Sequence, residues 1–155
     1  MIRIIGIGSP FGDDAAGLEA ARQLAADPPA HTEVIVADRP GAGLIDLFDG
    51  VDSVILIDAA RSGAPPGTVH EFDLHALSSC PLRLYSSHDF GVAEIIQLAA
   101  RLDRLPRRGR VFGIEIAAGQ PSPQSELTPV VLAAVAEAAQ RTRRWCTSGG
   151  RKTHT

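Results

Sequence analysis

An apolar run from Ile2 to Ile7 breaks into Gly8-Ser9-Pro10-Phe11-Gly12 and then sets down Asp13-Asp14 just ahead of an amphipathic stretch. That order reads as strand, tight turn and helix. A βα turn lies at the carboxyl end of its strand, which is where open α/β sheets bind their ligands. Two acidic side chains in such a turn favour a cation over a phosphate.

The rest of the chain repeats the alternation. Residues 2–8 read as a buried strand and 14–26 as a helix stopped by Asp27-Pro28-Pro29, with Leu18, Ala21, Arg22 and Ala25 spaced by three and four. Thr32 to Asp38 reads as a second strand, Arg39 to Gly43 as a turn and Leu44 to Phe48 as a short helix. Ser53 to Ile57 is uniformly apolar, as a central strand covered on both faces should be, and Asp58 is read as closing it. Thr68 to Leu74 alternates as an edge strand does, with either direction open to it. His88 to Leu102 reads as helix and Arg110 to Ile116 as the last strand. Thr128-Pro129, a capping residue with proline at the first helical position, opens a final helix to about Arg144. The predicted fold is a three-layer α/β/α sandwich on a twisted, mostly parallel sheet of about five strands, one edge strand being open to an antiparallel setting. Residues 1–145 are expected to form one domain, and 146–155 a disordered tail.

Composition sets the limits. With 155 residues, 45% of them hydrophobic, there is chain for one real core. A net charge of -3 gives no reason to expect nucleic acid or an anionic membrane as partner. The late arginines, Arg101, Arg104, Arg107, Arg108 and Arg110 and then Arg141, Arg143 and Arg144, are read as solvated faces and loops. Cys80 and Cys146 do not make a zinc cluster. No basic-then-apolar leader precedes the first strand, so a cytoplasmic location is expected.

Asp13-Asp14, Asp38 and Asp58 each follow a predicted parallel strand, so adjacent strands would bring them to one rim of the sheet. Carboxylates gathered in one crevice repel each other unless protons or a cation offset the repulsion. Ser86-Ser87-His88-Asp89 adds an imidazole at a helix start. An imidazole with two carboxylates can hold a first-row divalent metal and leave positions open for substrate, which nominates Asp14, Asp58 and His88. Taken singly, each has a plainer reading as a cap, a solvated strand end or a surface histidine. His31, His70, His75 and His154 are assigned to no site, and Ser9 does not stand in a nucleophile elbow.

In the order Gly6-Ile7-Gly8-Ser9-Pro10-Phe11-Gly12-Asp13-Asp14-Ala15-Ala16-Gly17, then Val54-Ile55-Leu56-Ile57-Asp58-Ala59, then Ser87-His88-Asp89-Phe90-Gly91, with Phe112-Gly113-Ile114 and Leu127-Thr128-Pro129 later, the chain resembles the nickel-iron hydrogenase maturation endopeptidases across residues 2–140. The resemblance implies a peptidase that removes a C-terminal extension from the hydrogenase large-subunit precursor once nickel is installed. It implies metal contacts at Asp14, Asp58 and His88, with Asp38 at an acidic position near the site. Nickel would be supplied within the substrate, so the free enzyme is expected to stand without metal, as a monomer. Asp13 or Asp38 is nominated as general base for water. Two departures from the family pattern stand out: Ser9 replaces a usual asparagine, and Asp38-Arg39-Pro40-Gly41-Ala42-Gly43 replaces a glycine-rich segment with threonine.

Two other readings compete. A nucleotide-binding module would use the glycines of the first turn with Asp38 on a ribose, but Asp13-Asp14 would crowd negative charge where a pyrophosphate sits. A non-catalytic nickel carrier would use the same three side chains and differ only in turnover.

Overall fold

The computed structural model describes residues 1–79, 91–117 and 126–148. Five strands form one sheet: β1 (Ile2–Gly8), β2 (Thr32–Asp38), β3 (Ser53–Ala60), β4 (Val69–Asp73) and β5 (Arg108–Glu115). Their order is β2-β1-β3-β5-β4, parallel except for β4, which runs antiparallel to β5 at the edge. Among the described residues four α-helices accompany them: α1 (Ala16–Ala26), α2 (Leu74–Ser79), α3 (Gly91–Arg101) and α4 (Pro129–Thr147).

Alternation along the strands feeds two cores. Ile4, Ile55, Ile57, Phe112 and Ile114 pack with Ala16, Ala20 and Leu24 of α1 and with Val131, Val135 and Ala138 of α4. Ile5, Ile7, Val54, Leu56 and Val111 meet Leu74 and Leu77 of α2, Val92 and Ile96 of α3, and Leu44, Ile45 and Phe48 of a 3-10 stretch over Gly41–Phe48. This is the predicted three-layer sandwich. The unbroken apolar run in β3 is required because both of its faces are covered.

Several boundaries differ from the expectations. Asp58 does not close β3; the strand runs on to Ala60, because β5 continues the ladder with Asp58 level with Gly113 and Ala60 level with Glu115. The helix expected from residue 14 begins at Ala16, and Asp13 and Asp14 lie instead in a 3-10 turn over Gly12–Ala15. Helix α2 was not expected after β4. Asp73 accepts the N–H groups of His75 and Ala76 at 3.1 Å each and so caps that short helix. Of the late arginines, Arg101, Arg107, Arg108 and Arg144 are exposed as read, while Arg104 bridges Asp46 and Asp49 at 2.9 and 2.6 Å and Arg110 reaches Asp73 at 3.1 Å. Among the described residues no helix is long and apolar enough to cross a membrane.

The topology also makes a crevice. The connection from β1 travels over one face through α1, while the connection from β2 returns over the other through the 3-10 stretch at Gly41–Phe48. The neighbouring strands β1 and β2 are therefore left toward opposite faces at their carboxyl ends, and the chain crosses β1 to reach β3. An opening at that switch point follows from connectivity alone.

Candidate active site

The switch-point opening holds a cavity of about 410 Å³, lined by Gly8, Ser9, Phe11 and Asp14 on one side and by Asp58, Ala59 and Arg61 at the end of β3. Arg39, Pro40 and Leu44 close a third side, and Val92 and Ile95 of α3 a fourth.

Asp14 is placed by close backbone packing. Asp14 N–H donates to the Phe11 carbonyl at 3.1 Å, and Ser9 N–H donates back to the Asp14 carbonyl at 3.3 Å, folding the turn onto the end of β1. Only glycine at position 8 allows this, since a Cβ there would collide with the Asp14 carbonyl oxygen. Gly17 does the same for α1, lying against the carbonyl oxygens of Ile7 and Ile57. The Asp14 carboxylate, 26% exposed, then accepts the Ser9 hydroxyl at 3.3 Å and the Arg61 guanidinium at 3.0 Å.

Asp58 is half-buried, and among the described residues its carboxylate accepts the N–H of Ala59 at 2.8 Å. Burial pushes its pKa up to about 8, with Asp14 adding to the rise, while the Ala59 hydrogen bond and Arg61 pull the other way. A carboxyl group that retains its proton near neutrality in a cleft can exchange that proton for a metal, or for a substrate carrying one.

Asp14 and Asp58 thus meet at one cavity, as the rim argument predicted. His88 lies outside the described residues. Among the described residues no three histidine, cysteine, aspartate or glutamate side chains are grouped to hold an ion. The two carboxylates present suit a hard or borderline cation and leave coordination positions for ligands from elsewhere.

Asp13 and Asp38 have other engagements. Asp13 Oδ1 accepts the Thr128 N–H at 2.8 Å and Oδ2 the Thr128 hydroxyl at 3.0 Å, so this carboxylate caps α4 from across the molecule. Thr128 does occupy the expected capping position with Pro129 after it, but its own side chain makes no cap bond. Asp38 is exposed and pairs with Arg39 at 2.9 Å. Neither carboxylate lines the cavity; the neighbouring Arg39 does, held at a φ of 45° while its N–H donates to the Gly8 carbonyl at 2.8 Å. Its guanidinium sits 5.9 Å from the centre of the Phe11 ring, which is 46% exposed at the mouth.

Sequence reading missed Arg61. Its signal was faint: a cation three residues after the strand-end aspartate, legible only once β3 is known to continue past Asp58. Sequence reading also left His70 unassigned, and the structure gives it a partner in Glu115, at 3.0 Å.

Residues 19–145 match the family model HycI, described as hydrogenase maturation protease, a span that includes Asp58 and begins after Asp14. No curated protein matches significantly. Among solved structures, the hydrogenase-maturating endopeptidase HybD of Escherichia coli is 24% identical, with a TM-score of 0.74 over 96% of this chain and 93% of that one. An endopeptidase from the same organism is 20% identical, with a TM-score of 0.80 over 97% of this chain and 94% of its own. The [NiFe] hydrogenase maturation protease HybD of Thermococcus kodakarensis is 25% identical, with a TM-score of 0.66 over 92% of this chain and 97% of its own.

Proposed function

Because this chain belongs to the hydrogenase maturation protease family, and so is a peptidase, we propose that its substrate is a nickel-iron hydrogenase large-subunit precursor whose C-terminal extension it removes after nickel insertion. The observation that carries the reading is the convergence of Asp14 and Asp58 on one switch-point cavity. Nickel arrives as part of the substrate. Asp14 and Asp58, together with His88, are the groups proposed to receive it, the protein supplying hard oxygens and an imidazole to a metal with open positions. Held there by Asp14, Asp58 and His88, nickel would supply an anchor for the precursor and a Lewis acid beside the scissile peptide.

The remaining chemistry belongs to this chain's own residues. Receiving the metal displaces the Asp58 proton, which is then available within the cavity. The apolar wall of Leu44, Val92 and Ile95 limits water around the scissile bond. Asp13 is dropped as general base because both of its oxygens cap α4. Asp38, exposed and paired with Arg39 outside the cavity, is set aside as base on the same ground.

The test is incubation with a large-subunit precursor, with and without nickel, read by intact mass. Loss of a C-terminal fragment only from nickel-loaded precursor is expected, with many precursor molecules cut per enzyme. Stoichiometric binding with the extension intact would make the protein a nickel carrier instead. Replacing His88 with alanine is expected to abolish cleavage; full activity would remove His88 from the mechanism.

A further inference from the structure

Arg61 extends into the cavity from a turn held with unusual firmness. The next residue, Ser62, donates its N–H to both Glu115 carboxylate oxygens, at 2.9 and 3.2 Å, and its hydroxyl to Glu115 Oε1 at 2.5 Å. Glu115 is 1% exposed at the end of β5, where His70 Nε2 also contacts it. Backbone bonds from Gly67 to the Glu115 carbonyl and from Glu115 to the Thr68 carbonyl, both 2.8 Å, close the loop against β5. The backbone of Arg61 is thereby fixed by a buried carboxylate one residue away. Its side chain, 17% exposed, ends 3.0 Å from Asp14. An exposed, mobile ion pair would contribute little. This one is largely shielded from water, and its arginine starts from an immobilised turn.

A two-carboxylate cleft open to solvent would attract any divalent ion, and copper would outcompete nickel in simple affinity order. We infer that Arg61 is a built-in counter-cation that holds Asp14, beside Asp58, in the substrate-free enzyme, so that free divalent ions are refused and a metal enters only when the precursor presents it. The inference rests on the proposed substrate and adds to it a means of selection. Arginine suits the task because it stays charged at every working pH, so only displacement opens the site. Docking of the precursor chain supplies the free energy for that displacement; a free ion has only its own coordination to set against the guanidinium.

The experiment is calorimetric titration of zinc, nickel and manganese chlorides into the substrate-free full chain. Arg61→Met is expected to bind zinc and nickel roughly tenfold or more tightly than wild type, since a positive charge has been removed from beside the carboxylates. Arg61→Lys, which keeps the charge, is expected to stay close to wild type. Arg61→Gln, which keeps a donor for Asp14 without the charge, should follow Arg61→Met and replaces it if melts show that variant unfolded. Combining Arg61→Met with Asp14→Asn should erase the gain. Unchanged affinity in the neutral variants, or a gain that survives Asp14→Asn, overturns the inference. Precursor cleavage by wild type is measured alongside: failure there sinks the substrate assignment, while intact cleavage with unchanged metal affinity sinks only the role given to Arg61.

Discussion

Asp58 and Glu115 occupy comparable places. They stand near the carboxyl ends of adjacent parallel strands and on the same face of the sheet, with Ala60 level with Glu115 and Asp58 level with Gly113. Their surroundings differ. Glu115 is almost wholly buried and receives the N–H and hydroxyl of Ser62 together with the His70 ring. Asp58 is less buried, yet among the described residues it has a single backbone donor and another carboxylate for a neighbour. A buried acid surrounded by donors is a structural tie, whereas one with few donors keeps its proton and is ready to exchange it.

The sharpest break of that contrast is Asp58→Asn. Cleavage of nickel-loaded precursor is expected to fall on the order of 10³-fold with little loss of fold, as measured by intact mass against time. For Glu115→Ala the balance reverses: leaving the Ser62 N–H and hydroxyl without an acceptor is expected to cost about 2–4 kcal/mol in urea unfolding.

Asp58 also predicts a pH dependence of stability. The folded protein holds the Asp58 proton up to about pH 8, while the unfolded chain releases it near the ordinary value of 3.8. Across that window the unfolded state binds fewer protons, so this group makes stability fall as pH rises. Melts of the metal-free protein should show that decline between pH 5 and pH 8, within the window set by Asp58, and Asp58→Asn should flatten it. A decline of equal slope in the variant would assign the effect to other groups.

The smallest effect concerns the adjacent acids of the first turn. Asp13→Asn weakens the distant cap on α4 and is expected to cost about 1 kcal/mol of stability while leaving cleavage within about threefold of wild type. A large loss of turnover at unchanged stability would return Asp13 to the chemistry.

Much of this was legible along the chain. The layered architecture follows from the unbroken apolar run of β3 and from the three- and four-residue spacing in α1, both local patterns. So does the acidic rim, because Asp14 stands in the turn after one apolar run and Asp58 at the end of another. Helix α2 was hidden, being a single short turn of mixed residues whose cap, Asp73, is also the end of a strand. The bounds of β3 were misread because an aspartate looks like a strand end until β5 is there to pair with it.

Local sequence could settle that this chain alternates strands and helices around an apolar sheet and places acids at strand ends, because periodicity and turn chemistry act over a few residues. Tertiary structure alone chose between Asp13 and Asp14, sending one to Thr128 at a separation of 115 residues and the other to Arg61 at 47. It also set Glu115 on Ser62 across 53 residues. Neighbouring carboxylates have nearly the same local sequence, so their roles were decided by which distant donors the folded chain brought within hydrogen-bonding reach.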